Sequence, residues 1–348
     1  MLKRILNCGA LLVGLLAWSV MAASAPLILQ DMAGRQVTLT APSQRLATLG
    51  AVPVINSMVF ALGAGDRIIN GLPDFAQHSQ WAYQYQFAPH LRTLPTLQNP
   101  DRSVRIEALV QAKPDLALTM DRRTADQLQS QGIPTLVLAW RNPEDVRQAI
   151  DLLGQALGRT EQAQRYRTMF DDTLALVRER LQAPGLTPPR VLYLNPRSMT
   201  RPHRVAEWWI TAAGGQSVTN DHMADIESRA FGPEQILAWN PEIMIVANRR
   251  DAELLLHDPR LARVQAIQDR RIVVTPTGAH MWGNRTAEQA LAVLWAASVF
   301  HPDRIDRQTL TTRVTAFYQD LYGTSLTPDQ IDEILAGGPD TPSNGALP

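Results

Sequence analysis

Two stretches of this sequence repeat one another, and the repeat restricts the chain to a fold made of two similar halves. "EALVQAKPDLAL", which begins at Glu107, aligns with "EQILAWNPEIMI", which begins at Glu234. In each stretch an apolar helix pattern runs to a proline and an acidic residue, and an apolar strand pattern follows. The next strands also correspond, "GIPTLVLAW" with "DRRIVVTPT". Matched helix-strand units so far apart in the chain indicate two structural halves.

Strand and helix patterns alternate within each half. After an opening hairpin pattern, "LILQDMAGRQVTL", the strand pattern "RLATLG" precedes the helix pattern "VINSMVFALG". Such alternation predicts a mostly parallel sheet with helices on both faces. Residues 143–182 instead carry helical spacing with one break at "GRT". We therefore predict an α/β fold in which two Rossmann-like lobes, 23–142 and 188–335, are joined by a long backbone helix.

The two ends of the chain have other compositions. A basic start, "MLKR", and a short apolar run, "ALLVGLLAWSVMA", predict a signal peptide at residues 1–22, cleaved after Ala22 or Ala23. The only cysteine, Cys8, precedes the apolar run, so it is not placed as a lipid anchor. No other apolar stretch reaches the roughly 20 residues of a membrane helix. The polar, glycine-rich end predicts a disordered tail at residues 336–348.

Charge composition argues against a nucleic-acid-binding protein. The chain has 33 basic and 33 acidic residues, whereas phosphate backbones are bound by an excess of positive charge. The basic residues are nearly all arginine, because Lys3 and Lys113 are the only lysines. Two explanations remain open, a coding bias in the genome and recognition of anions by planar guanidinium groups.

The residues that follow the strands are the candidates for ligand contacts. Ligands of open α/β sheets bind beyond the carboxyl ends of the strands, and in a two-lobed chain those ends face the space between the lobes. The loops at these positions are rich in aromatic and arginine side chains, which suit a flat or multiply acidic ligand. The candidates are Trp81, Tyr83, Tyr85, Arg122, Arg123, Trp140, Arg141, Arg197, Arg201, Arg249, His280, Trp282 and Arg285.

Neither a bare-metal site nor an active site is predicted. No cysteine cluster, His-x-His or Glu-x-x-His spacing is present, so we expect His203 and His280 to act as hydrogen-bonding groups. An enzyme would need a positioned acid, base or nucleophile beside the cleft. The nearest acids, Asp74 and Asp121, have no evident partner in the sequence. We therefore expect a binding protein that is not an enzyme and carries no cofactor.

Over essentially the whole mature chain the sequence resembles the helical-backbone solute-binding proteins of ABC importers. The resemblance is carried by "DMAGRQVTLTAPSQRLATLG", "FGPEQILAWNPEIMIVAN" and "AFYQDLYGTSLTPDQIDEIL". Members of this family take up ferric siderophores, haem, cobalamin and related chelates, and some bind molybdate or tungstate. The resemblance implies a monomeric periplasmic protein that captures its ligand between the lobes and delivers it to a membrane permease and its ATPase.

Three cargoes are compatible with the resemblance. We expect an iron complex such as a ferric siderophore, because aromatic faces are of little use to a tetrahedral oxoanion. The alternative is molybdate or tungstate, which the arginine count permits. A nickel or cobalt chelate cannot be separated from these by sequence. In several relatives a surface acidic residue on each lobe meets the permease; Glu207 is the candidate in the second lobe, and no equally clear first-lobe partner is found.

Overall fold

A computed structural model describes residues 25–77, 79–140, 142–182, 185–220 and 228–339. The predicted signal peptide, residues 1–22, and residues 340–348 of the predicted tail lie outside the described residues. So does the candidate ligand contact Arg141.

The first half is built on a parallel sheet preceded by a hairpin. The hairpin strands β1 and β2 pair antiparallel around the turn that begins at Asp31. Strands β3, β4 and β5 form a parallel sheet in that spatial order, and all their residues are buried. The elements are β1 (Leu27–Gln30), β2 (Gln36–Leu39), β3 (Leu46–Thr48), α1 (Val52–Ala61), α2 (Tyr83–Phe87), α3 (Ile106–Ala112), β4 (Leu116–Thr119), α4 (Arg122–Ser130) and β5 (Thr135–Val137).

Two consecutive helices connect the halves. They are α5 (Glu144–Leu157) and α6 (Thr160–Leu181), and they pack against each other. The break between them is at Gly158, whose φ of 63° is left-handed and therefore suits a residue without Cβ. The predicted connector is thus a helical pair rather than one straight rod.

The second half has a four-stranded parallel sheet of order β11-β10-β6-β8. A short antiparallel pair, β7 with β9, lies outside it. The parallel sheets in both halves confirm the predicted α/β class. The elements are β6 (Arg190–Tyr193), β7 (Thr200–Arg201), α7 (Val205–Ala212), β8 (Gln216–Ser217), β9 (Arg229–Ala230), α8 (Pro233–Trp239), β10 (Ile243–Val246), α9 (Arg249–Leu256), α10 (Gln265–Gln268), β11 (Ile272–Val274), α11 (Gln289–Phe300), α12 (Arg307–Asp320) and α13 (Pro328–Leu335).

The internal repeat is visible in backbone geometry as well as in sequence. Helices α3 and α8 both end in a left-handed cap residue followed by proline, Lys113 at φ 49° and Asn240 at φ 40°. The correspondence continues at a constant separation into α4 and α9. Their cap residues, Asp121 and Asn248, each accept a hydrogen bond from the backbone N–H three residues on, and each is followed by Arg-Arg. The two halves therefore present equivalent helix starts at the ends of equivalent strands.

The last two helices return to the first half. The Tyr83 hydroxyl donates to Glu333 Oε2 at 2.6 Å and to the Gln330 carbonyl at 3.0 Å, which joins α2 to α13. Phe87 stacks on Tyr318 of α12 with ring centroids 5.1 Å apart. Residues 336–338 continue from α13 as a hydrogen-bonded turn.

Within the described ranges, no helix combines the length and the apolar character that a membrane span requires.

The left-handed cap at Lys113 gives a stability prediction. Lys113→Gly should raise the free energy of unfolding by about 1 kcal/mol, because glycine adopts this conformation without a clash at Cβ. Gln111→Gly, at an exposed position inside the same helix, should lower it by about 1 kcal/mol. Urea unfolding of both variants measures the two changes in the free energy of unfolding. Changes of the same sign would contradict the left-handed cap at Lys113.

Candidate ligand-binding cleft between the two halves

A cavity of about 480 Å³ lies where the two halves meet. Its walls come from the hairpin turn, from the residues that follow β4 and β5, and from the loop that follows β11. Met32, Met120 and Trp140 contribute from the first half and Arg285 from the second. The cavity lies at the carboxyl ends of β4 and β5, the kind of position at which ligands of open α/β sheets bind.

Two guanidinium groups face this cavity from opposite halves. Arg285 is half-buried, and it makes no hydrogen bond or ion pair with any residue that the structure describes. Arg122 is mostly exposed and lies 3.7 Å from Asp126, which is a loose surface pair. A charge partly withdrawn from water is costly without a counter-charge. The cavity is therefore suited to an anion.

The loop from Thr275 to Glu288 presents Arg285 and is held rigidly from behind. Trp282 is fully buried and serves as its anchor. The carbonyl of the next residue, Gly283, accepts a hydrogen bond from Trp209 Nε1 at 3.1 Å. Tyr193 donates to Asn284 Oδ1 at 3.0 Å. The loop is thus fixed by its buried tryptophan and by these two hydrogen bonds, whereas ligand contact by Trp282 stays a prediction.

The same loop is also bonded to the first half. Gln84 Nε2 of α2 donates to the Ala279 carbonyl at 2.6 Å, and Gln84 Oε1 accepts from Asn56 of α1 at 2.9 Å. The Ala287 N–H donates to Ser57 Oγ at 3.1 Å. These contacts fix the second-half loop, and with it Arg285, against the first-half wall of the cavity.

His280 occupies the same loop and is kept neutral by its surroundings. Its ring lies 6.4 Å from the ring of Trp81, centroid to centroid. Burial is the main reason why the pKa of His280 is lowered to about 4; a hydrogen bond with the Met281 backbone opposes the shift, and the nearby Arg285 and His203 add to it. At neutral pH this imidazole carries no charge, so the positive potential of the cleft comes from the arginines.

Trp140, which lines the cavity, has a buried Nε1 without a hydrogen-bond partner among the described residues. Trp81 Nε1 and His280 Nδ1, whose rings lie 6.4 Å apart, are likewise buried without a partner there. Unsatisfied buried polar groups are uncommon in folded proteins and call for an explanation.

Most of the predicted aromatic contacts do not expose their faces. Tyr85 is buried beneath Arg92, whose guanidinium carbon lies 4.4 Å from the ring centroid. Trp140 lines the cavity but is only 3% exposed, and Tyr83 is turned toward α13. Trp81 is half-buried, with Phe75 edge-on to it at 6.5 Å. The open aromatic platform expected from the sequence is therefore not present in this conformation.

The other predicted arginines lie in different settings. Arg197 pairs with Asp251 at 3.0 Å, and the buried Arg201 pairs with Glu207 at 2.6 Å. Arg123 and Arg249 are exposed in the first turns of α4 and α9. The structure thus brings Arg122 and Arg285 together in one cavity, whereas ligand contact by the other four stays a prediction.

Sequence reasoning missed the hairpin turn as a wall of the site. Asp31 Oδ1 accepts hydrogen bonds from the Ala33 and Arg35 N–H groups, and Oδ2 accepts from the Val137 N–H at 3.1 Å. The Met32 N–H donates to the Val137 carbonyl at 3.1 Å. These bonds place Met32 beside the end of β5. The aspartate-to-glycine spacing predicts a turn, but it does not indicate which strand the turn covers.

Within the residues that the structure describes, no group of three or more histidine, cysteine, aspartate or glutamate side chains is arranged to hold a metal ion.

Sequence comparison assigns this architecture to a known group. A family model described as "periplasmic binding protein" matches residues 57–279. The molybdate-binding protein MolA of Haemophilus influenzae is 23% identical over an alignment of 336 residues that covers 88% of this chain and 94% of that protein.

Solved structures share the fold. A structure of MolA bound to molybdate gives a TM-score of 0.74 at 23% identity, over 87% of this chain and 100% of that chain. A periplasmic solute binding protein of Veillonella parvula gives 0.77 at 24% identity, over 89% and 97%. Helicobacter pylori CeuE in a Ni-His complex gives 0.72 at 17%, over 89% and 99%.

The Asp31 cluster gives a second stability prediction. Asp31→Asn should cost about 2–4 kcal/mol, because the buried carboxylate accepts three backbone N–H groups and an arginine, and an amide cannot accept them all. Asp126→Asn, which removes an exposed partner of the same Arg35, should cost less than about 1 kcal/mol. Thermal unfolding of the two variants tests the difference, and similar losses of stability would contradict the role assigned to the Asp31 carboxylate.

Proposed function

The chain belongs to the periplasmic binding protein family, and from this premise we propose that it captures an oxoanion of the molybdate or tungstate class in the cleft between its halves. As a member of that family it is the solute-binding component of an ABC transporter and not an enzyme. The cognate permease and ATPase then receive the ligand from it. The predicted signal peptide, residues 1–22, supplies the export that this role requires.

The observation that carries the proposal is Arg285. Its half-buried guanidinium has no counter-charge among the described residues, and Arg122 lines the same cavity from the opposite half. An anion between them would receive charge-assisted hydrogen bonds from both halves at once. Each such bond contributes roughly 1.5–3 kcal/mol, so two of them provide much of the free energy of a micromolar complex.

The burial of the aromatic side chains supports a small anion over a large chelate. The expectation of an iron complex depended on exposed aromatic faces, and Tyr85, Trp140 and Trp282 are all less than about a tenth exposed. Stacking on a flat ligand needs an open ring face. The name of the molybdate-binding relative points in the same direction.

A metal chelate is the second candidate, and the size of the cavity favours it. At about 480 Å³ it lies within the roughly 300–1,000 Å³ typical of sites for drug-sized ligands, which is more room than one tetrahedral oxoanion needs. An acidic ferric or nickel chelate would meet the same two arginines. The two candidates therefore differ in ligand size and not in charge.

Calorimetric titration separates the candidates and tests the role of Arg285. We expect the wild-type protein to bind molybdate or tungstate, and Arg285→Gln to weaken binding by about tenfold to a hundredfold. Arg165→Gln, which removes an exposed charge from α6, is the control and should bind as wild type. Unchanged binding by Arg285→Gln would reject the proposed site, and binding of ferric citrate without binding of molybdate would favour the chelate.

Glu107 and Glu234 are better candidates for the permease contact than Glu207. Glu207 Oε1 is occupied by Arg201 at 2.6 Å and Thr219 at 2.5 Å, so a permease cation would have to displace these partners. Glu107 and Glu234 are exposed, and they occupy equivalent first-turn positions of α3 and α8. A helix that leads into a parallel strand runs opposite to it, so both first turns lie toward the edge where the ligand binds.

The repeat thus provides one exposed acid per half, each with an exposed apolar neighbour on the same helix. Val110 is 50% exposed and its equivalent Leu237 is 38% exposed. Paired acidic and apolar groups at both ends of a cleft suit a permease with approximate two-fold symmetry and basic surface residues.

Charge reversal tests this contact. Glu107→Arg with Glu234→Arg should abolish stimulation of ATP hydrolysis by the cognate transporter in lipid nanodiscs, while the affinity for the ligand stays unchanged. Glu161→Arg, an exposed first-turn reversal on α6, is the matched control. If Glu207→Gln abolished stimulation and the double reversal did not, the sequence-based assignment of Glu207 would stand instead.

A further inference from the structure

We propose that Glu288 is a positioning residue of the ligand site, and that its buried carboxylate sets ligand affinity by holding the loop that presents His280 and Arg285. The proposal rests on the proposed function, because it assumes that this loop contacts the ligand. The sequence pattern gives no sign that Glu288 has a role different from that of the residues in the apolar helix α11, which follows it.

The carboxylate organises the loop through both of its oxygens. Oε1 accepts a hydrogen bond from the Ala279 N–H at 2.8 Å, and Oε2 accepts from the His280 N–H at 3.2 Å. Thr286 Oγ1 donates to Oε2 at 2.6 Å, on the other arm of the loop. The segments before and after Trp282 are therefore both hydrogen-bonded to the side chain of Glu288, the residue that precedes α11.

A fourth donor and a glycine complete the arrangement. The Tyr318 hydroxyl of α12 donates to Glu288 Oε1. A Cβ at position 278 would lie 2.1 Å from Glu288 Oε1 and 2.0 Å from the Tyr318 hydroxyl, so only glycine fits there. The backbone passes this close because the carboxylate and the phenol fill the space inside the loop.

A general contribution to stability does not account for an acid at this position. Glu288 is fully buried, and burial raises the pKa of its carboxyl, while the hydrogen bonds from Thr286, Tyr318 and the two loop N–H groups act in the opposite direction. An apolar residue would fill a core position without this desolvation cost. What the carboxylate adds is two acceptors at a fixed separation, which orient two consecutive peptide groups.

The position of His280 follows from those two peptide groups. Its N–H is fixed by Glu288, and its ring is buried opposite Trp81. The charged or titratable groups near the ring are Arg285 and His203, with the Glu288 carboxylate at the backbone of the same residue. Release of the loop would therefore alter the solvation of the imidazole and the direction of Arg285 together.

Glu288→Gln is the variant that isolates this role. A glutamine has nearly the same shape, but its amide nitrogen only donates and must face the N–H of either Ala279 or His280. Val264→Ala is the matched control, because Val264 is fully buried in a separate core cluster of the second half. Both variants should lower the midpoint of thermal unfolding, and only Glu288→Gln should affect the loop.

Two measurements are made on each protein at a temperature where it is folded. Calorimetry with molybdate and with ferric citrate gives the affinity, and NMR of ring-labelled histidine gives the pKa of His280. We expect Glu288→Gln to weaken binding by about tenfold or more and to move the pKa of His280 from about 4 toward its ordinary value of 6.5. Val264→Ala should change neither quantity.

The outcomes are distinct. If Glu288→Gln is destabilised like Val264→Ala but keeps wild-type affinity and the low pKa of His280, Glu288 is a structural residue only and the proposal is overturned. If Val264→Ala loses affinity as well, loss of stability explains both results and the proposal also fails. If the pKa of His280 rises while even the wild-type protein binds neither probe, the carboxylate holds the loop and it is the proposed function that fails.

Discussion

A positive charge that is half withdrawn from water and has no partner among the described residues is the constraint on which the candidate site depends. Two other arginines of the second half are neutralised there, Arg197 by Asp251 and Arg201 by Glu207. Arg285 is not, and the loop that carries it is held in place by hydrogen bonds from both halves. The fold thus maintains an electrostatic cost, and on the proposed function an anionic ligand would remove it.

The fold could be predicted from the sequence because its signals are local. Strand and helix alternation, the glycine at the break between α5 and α6, and the helix-Pro-acid repeat each depend on a few neighbouring residues. The repeat extends to backbone geometry that the sequence analysis did not predict, since Lys113 and Asn240 form left-handed caps at the same place in their halves. Such patterns survive because each half must bury its own sheet.

The site could be predicted only in outline. The rule about strand ends selects loops, some of which line the cavity, but it cannot say which side chain of a loop points outward. Trp282 and Tyr83 looked like ligand contacts, yet one anchors its loop and the other bonds α13, which lies about 250 residues further along the chain. Met32 and Glu288 were overlooked because their roles depend on contacts between distant segments, for which a single sequence carries no signal.

The hydrogen bonds between Gln84 and Ala279, and between Ala287 and Ser57, have a mechanical consequence. They connect the two halves, so the cleft is held closed by hydrogen bonds in this conformation. We therefore expect no large difference in shape between the ligand-bound and the ligand-free protein. Separating the two halves would therefore require breaking both hydrogen bonds.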